Sequence, residues 1–580
     1  MIRHLLAGLV LASLSVPAPC APSDGQPLMV AILWNQHLPA ATPPAASGEF
    51  AAPWVRLHTA RHLYGMAAML SDHPDIHLTF NLTPTLLLQI ESLVERWRAG
   101  EPTDSHVRLT LKDAATLTDD EKVFLLRHFF DVGDDRTLAR HLRLVQLRDM
   151  RLGTSEESLA EVISTWTDQD FRDLQMLFNL AWTDAMFHRG VVLPDGTQVR
   201  VGEWVERGRD FTEDDKRALI DIHFRILGAV IPLYRRAQER GQIEISTTPL
   251  HHPILPLLID TEITLDASPD LALPNIPLKR PDDAGELIER SAELYHAYFG
   301  RRPRGLWPAE GAVSSAMIPL LSNAGFAWFA SDVDVLARTL GDNDPPARDR
   351  FTAWRSRAGG RTVSLLFRDT DMSERIASTY VTWDSARAAQ DFIDLLHSVR
   401  VVAADEDGGR ASQRVVFVAV NGLTCWKGHP DDGRPFLESL YTQLADDPLL
   451  DTVTVSECLA RSGELPLLEN LRAGSWVDGD FRSWIGEPEE NRAWELLADA
   501  RQSIGRAEIA DPGADARAHE LLLAAESSDW FWWFGNDHNG EHDGAFAEAF
   551  RETLRQAFME AGLRVPLALE APESDASGGD

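Results

Sequence analysis

The chain has 580 residues, 44% hydrophobic and 25% charged, enough apolar material for one large catalytic-type domain with an accessory one. Its 55 basic and 89 acidic residues give a formal net charge of −34, which repels phosphate backbones and anionic lipid and sets nucleic acid aside as a partner.

Residues 1–21 open on Met1-Ile2-Arg3-His4, continue through an apolar run from Leu5 to Val16, and end on the small residues of Pro17-Ala18-Pro19-Cys20-Ala21. This is the pattern of a secretory signal peptide and predicts a secreted or periplasmic protein. Cys20 raises lipid anchoring, against which stands the proline-rich Pro17-Ala18-Pro19 where small residues such as Gly or Ala are expected. The apolar run falls short of the roughly 20 residues of a membrane span, and no other segment is long and apolar enough. With Cys20 removed, Cys425 and Cys458 remain, and two cysteines do not make a disulfide framework; buried free thiols are expected.

Strand-like apolar runs then alternate with helical patterns, which predicts a parallel sheet or barrel with crossover helices. Strands are expected at Leu28 to Leu33, His77 to Leu82, Ile243 to Thr247, Gly305 to Trp307, Ala327 to Ala330, Thr362 to Phe367 and Val415 to Val420. Val55 to Leu70 reads as helix, and about 105–240 as a long helical insertion. The resulting division is a barrel domain over 28–440, a helical domain over 441–566 and a disordered tail over 567–580. Asp342 to Pro346 and Asp405 to Gly409 read as surface loops.

Two strand ends carry the chemistry. Gly305-Leu306-Trp307-Pro308-Ala309-Glu310 ends on an acid, whereas Val415 to Val420 opens onto Asn421-Gly422. A retaining glycosidase needs two carboxyl groups about 5 Å apart, one a nucleophile and one an acid and then a base. Barrel strands supply such groups because their C-terminal ends converge. Sugar binding also wants aromatic faces beside polar groups, which Trp34, Trp307 and Trp426 at strand ends offer, although packing in the rim is an equal expectation for each ring. Asp369, after Phe367-Arg368, is either a ligand contact or half of an Arg–Asp structural pair.

The ordered series Phe80-Asn81-Leu82-Thr83-Pro84, GQIEISTTPLHHPILPLL from Gly241, GLWPAEGAVS from Gly305, FRD from Phe367, HPDDGRPFLESLY from His429, WIGEPEENRAW from Trp484 and SDWFWWFGNDH from Ser528 resembles glycoside hydrolase family 57. The resemblance spans nearly the whole chain beyond residue 21. It implies a distorted seven-stranded (β/α) barrel followed by helices, and retaining hydrolysis or glucanotransfer on α-linked glucans. It further implies Glu310 as nucleophile and His37 and Glu244 as substrate contacts, with an oligo- or polysaccharide as partner and no cofactor. It places the SDWFWW segment over the barrel mouth, although helical core packing is the plainer expectation for Trp530, Trp532 and Trp533.

The chain departs from the family pattern at the second acid. Where the family carries Asp followed by Gly, Glu, Asn, any residue, Trp and Glu, this chain reads Asn421-Gly422-Leu423-Thr424-Cys425-Trp426-Lys427. Its first motif is Asn35-Gln36-His37-Leu38-Pro39 in place of two histidines flanking one residue and then Gln-Pro, and Val333 stands where many relatives have an acid after Asp332. Asp431 and Asp432 are the nearby acids that would stand in for position 421. The alternative is a catalytically inactive carbohydrate-binding relative of the same fold. A metal-dependent deacetylase, built on His251-His252 with Asp332 or Asp334, has the wrong spacing, since adjacent histidines point apart. No metal is therefore expected.

Overall fold

The computed structural model describes residues 27–39, 49–50, 52–151, 153, 155–406, 414–535 and 543–570. The signal peptide, Cys20, most of the 405–409 loop and residues 571–580 lie outside them. Seven strands build the barrel wall: β1 (Leu28–Gln36), β2 (Leu78–Leu82), β3 (Ile243–Ser246), β4 (Gly305–Leu306), β5 (Trp328–Asp332), β6 (Arg361–Arg368) and β7 (Val415–Asn421). β7, β1, β2 and β3 form one parallel strip, in which Asn35 stands level with both Asn421 and Asn81. β4, β5 and β6 form another.

The strips join on both sides. Thr247 bridges to Leu306, with Trp307 N–H donating to the Thr247 carbonyl at 2.9 Å. At the other seam Asp369 N–H donates to the Phe417 carbonyl at 2.8 Å. The chain is a mixed α/β protein with a parallel barrel and C-terminal helices, as the strand and helix patterns predict.

Side-chain alternation sorts each strand. In β1, Met29, Ala31 and Leu33 pack in the barrel interior with Trp328, Phe417 and Ala419. Leu28, Val30, Ile32 and Trp34 point out against the helices. Residues two apart share a face, so Asn35 and Asn421 continue the inward rows to the rim. Gly305 is required here: a Cβ at that position would stand 1.9 Å from the Trp328 ring that fills the interior.

The insertion is helical from Ser105 through the 27-residue helix Glu213–Glu239, with one short hairpin, Val191–Val192 with Gln198–Val199. Among the described residues two strands lie beyond residue 440: Leu450–Thr452 pairs with β1, and Leu467–Leu468 with Trp354–Ala358. The sheets therefore draw on residues well past the expected barrel boundary, because these short strands have too few residues to show a period. Helices α1 (Pro488–Gly505), α2 (Pro512–Ala525) and α3 (Asp543–Glu560) follow and share a core with β4 and β6. Leu567–Glu570 is a helical turn with Leu569 buried, a correction to the disordered tail expected from 567. Cys425 and Cys458 are buried free thiols.

Candidate active site

Glu310 sits just beyond β4, on the barrel face where the strand C-termini open. Its backbone is left-handed (φ 53°, ψ 28°), a conformation that costs a non-glycine residue on the order of 1–3 kcal/mol. Trp476 holds it there twice. The Trp476 backbone N–H donates to the Glu310 carbonyl at 3.0 Å, and its indole Nε1–H donates to Oε2 at 2.8 Å. Trp476 is delivered by an antiparallel bridge between Val313 and Gly474. Its ring meets Trp307 edge-on at 5.2 Å and lies under the Arg368 guanidinium, 4.8 Å from the ring centre.

On the other side of Glu310, Oε1 faces His252 Nε2 at 3.8 Å. The His252 and His37 rings stack face to face, 3.6 Å between centres and 6° from parallel. His37 Nε2 lies 3.0 Å from Asp529 Oδ1, and His252 Nδ1 lies 2.9 Å from Ser528 Oγ. The SDWFWW segment thus reaches the barrel mouth through Ser528 and Asp529. Trp530, Trp532 and Trp533 pack against Phe550, Trp484 and Phe546 instead.

Charge is distributed unevenly over these groups. Burial raises the Glu310 carboxyl above the ordinary glutamate value, against the pull of the His37 charge and the Trp476 N–H. Burial alone would neutralise His37, but the charge and hydrogen bond of Asp529, with Glu310 beyond, raise it above its ordinary 6.5. Burial and the neighbouring His37 charge hold His252 well below that value, and hence neutral. Because the folded His37 pKa is raised, its protonation stabilises the protein fully below about pH 6.5 and ceases to do so as pH rises through the folded value. The stability difference between the parent and Asp529→Asn should therefore be largest in mild acid and shrink toward alkaline pH, as urea denaturation across a pH series would show.

A neutral row of side chains lies along the strand ends. Asn81 Nδ2 donates to Asn35 Oδ1 and to Thr248 Oγ1, each at 2.8 Å, and Thr248 Oγ1 donates to the Trp307 carbonyl at 2.9 Å. Asn421 ends β7 on the same rim. Its Oδ1 accepts from the backbone N–H groups of Leu423 at 3.0 Å and Thr424 at 3.1 Å, so the amide caps its own loop.

Several expected sugar contacts lie elsewhere. Trp34 points out of the barrel, donates to Tyr441 Oη at 3.0 Å and packs 5.4 Å from Trp426; both rings belong to the core beneath the helices. Trp307 is fully buried as the floor under Trp476. Asp369 is the structural alternative: it accepts from Met372 N–H at the start of a short helix and pairs with Arg350 at 2.7 Å. Asp431 and Asp432 pair with Arg140, and Asp432 also with Arg61, which ties both acids to the helical insertion.

Glu244 faces the interior but lies two residues before the end of β3, about 7 Å below the rim by strand rise. It accepts from Ser456 N–H and Oγ, both at 2.7 Å, and from Trp328 Nε1 at 2.9 Å. Those contacts make it a structural carboxylate, apart from the Glu310 cluster. Glu244→Gln places an amide donor against one of these donors. A loss of about 1–3 kcal/mol is expected on chemical denaturation, with the chemistry at Glu310 unchanged.

The residues that sequence reasoning left out are Trp476, His252, Ser528 and Asp529. His252 enters the sequence reading only as half of an adjacent pair, and its neighbour His251 does point away, toward Glu520 at 3.2 Å. One ligand-type atom from each of His37, His252 and Asp529 lies within 4.8 Å of the others. Among the described residues no helix is long and apolar enough to cross a membrane.

Glu310 is thus a clamped carboxylate just beyond the C-terminal end of a barrel strand. The profile of glycosyl hydrolase family 57 matches residues 31–466, and the chain belongs to that family. Similar solved structures include the family 57 branching enzyme of Thermococcus kodakaraensis (14% identity, 92% of this chain and 88% of that one, TM-score 0.55) and that of Pyrococcus horikoshii (15%, 94% and 97%, 0.55). The α-amylase AmyC of Thermotoga maritima is also similar (13%, 95% and 100%, 0.54). No curated protein sequence matches the chain.

Proposed function

We propose that the protein acts on α-linked glucans by retaining chemistry, with Glu310 as nucleophile and Asn421 in place of the acid/base. The observation that carries this reading is the double clamp of Trp476 on Glu310, which fixes the carboxylate in a strained backbone at the barrel mouth. The substrate class is that printed for the relatives, the branching enzymes and the α-amylase. The leader-like residues 1–21 extend the proposal to a secreted or periplasmic site of action.

An amide donates no proton to a leaving alkoxide, so bond cleavage depends on how well the leaving group departs unaided. Fluoride departs without help and a sugar hydroxyl does not. The test compares consumption of α-glucosyl fluoride and of maltooligosaccharide. Glu310-dependent consumption of the fluoride, with the oligosaccharide slower by at least about 100-fold, is the expected result. The loop-capping role of Asn421 favours a second reading, a carbohydrate-binding relative without catalysis. Oligosaccharide binding with neither donor consumed would establish it.

A further inference from the structure

His252 presents an unmet valence to Glu310. Ser528 Oγ donates its one proton to the His252 carbonyl at 2.6 Å. The hydroxyl oxygen is therefore the acceptor in its 2.9 Å contact with Nδ1, which fixes the ring proton on Nδ1. Nε2 is left with a lone pair, is buried, and has no hydrogen-bond partner among the described residues. It faces a Glu310 carboxylate oxygen at 3.8 Å, acceptor against acceptor. A cation satisfies both. Ligand atoms around a tetrahedral Zn²⁺ with bonds of about 2.0–2.2 Å stand about 3.4 Å apart, a few tenths of an ångström from the separation here.

We propose that His37, His252 and Asp529, with Glu310 beside them, bind a divalent transition-metal ion of the Zn²⁺ type. The set offers two imidazoles and two carboxylates, the donor chemistry of Zn²⁺ rather than of Mg²⁺ or Ca²⁺. The Ser528 hydroxyl holds Nδ1–H of His252 as outer-shell partners of metal-bound histidines do. As they stand the two rings are parallel and 3.6 Å apart, and His252 approaches Asp529 through Nδ1 at 3.6 Å, so binding requires His37 and Asp529 to turn toward Nε2, His37 giving up its long 3.4 Å contact with Thr83 Oγ1. The ion takes the place of the proton that His37 shares with Asp529, and that proton is released to solvent. Because Glu310 is a ligand, occupancy blocks its attack on a sugar; this consequence, though not the binding itself, rests on the proposed function.

Calorimetric titration of the chelator-treated full-length protein with ZnCl₂ tests the site, with MgCl₂ and CaCl₂ as comparisons. One Zn²⁺ per chain is expected. His252→Ala and Asp529→Asn should abolish that event, Ser528→Ala should weaken it roughly 10- to 100-fold, and His251→Ala should leave it unchanged. Circular dichroism melts of each variant separate lost binding from lost folding. Absence of a stoichiometric event in the folded parent, or an event that survives in folded His252→Ala and Asp529→Asn, would overturn the proposal. Zn²⁺ is also expected to suppress glycosylation of Glu310 by α-glucosyl fluoride, reversibly with chelator. Calorimetry reads the site even if no glycosylation occurs, a result that would count against the proposed function alone.

Discussion

Asn421→Asp is expected to raise the rate of maltooligosaccharide cleavage by about 100-fold. General acid–base catalysis contributes typically 10²–10⁴-fold, and the geometry at the end of β7 selects the lower end. The side-chain oxygen at 421 already accepts two backbone N–H bonds. A carboxylate in that place would be held in its charged form by both, and so would be a reluctant proton donor. Aspartate is nearly isosteric with asparagine, so the loop cap persists and the fold is unaffected. The gain should be smaller for α-glucosyl fluoride, whose leaving group needs less protonation. Steady-state rates of parent and variant on the two donors give the comparison, and equal gains on both would contradict a role as proton donor.

Arg368→Met is expected to destabilise the protein by about 3–5 kcal/mol, the range for breaking a buried ion pair from one side. Arg368 pairs through Nε with Asp332 Oδ2 at 2.5 Å, and side-chain exposures are 5% and 0%. It also donates to the Ala419 carbonyl of β7 at 3.2 Å, across the seam that closes the barrel, and covers Trp476. Burial already raises the Asp332 carboxyl above the ordinary aspartate value in spite of the guanidinium. Without that partner the raised value climbs further. A carboxyl raised in the folded state destabilises above its unfolded pKa, so the penalty should be full at neutral pH and fade as pH falls toward 4. Denaturation of parent and variant at pH 7 and pH 4.5 measures it.

Much of the fold was legible because both-face-covered strands read as apolar runs, from Leu28 to Leu33 and from Val415 to Val420. Glu310 was legible because it directly follows such a run. Parity carried more than was taken from it: with Asn35 facing inward, Trp34 has to face outward, where the structure places it against Tyr441. Depth was not legible, since Glu244 faces the interior but its layer depends on where β3 ends. Trp476 and Asp529 reach Glu310 and His37 only through long-range contacts, Gly474 with Val313 and Ser528 N–H with the His252 carbonyl at 3.0 Å. Their segments are turns and a single helical turn, which have no period to read.

On the proposed function Glu310 remains a working nucleophile although the second acid is gone. Intact-mass spectrometry of the purified protein after incubation with α-glucosyl fluoride, beside Glu310→Gln, tests it most directly. A covalent hexosyl adduct is expected on the parent and not on Glu310→Gln. An unmodified parent at every time point, with Asn421→Asp also unmodified, would contradict it.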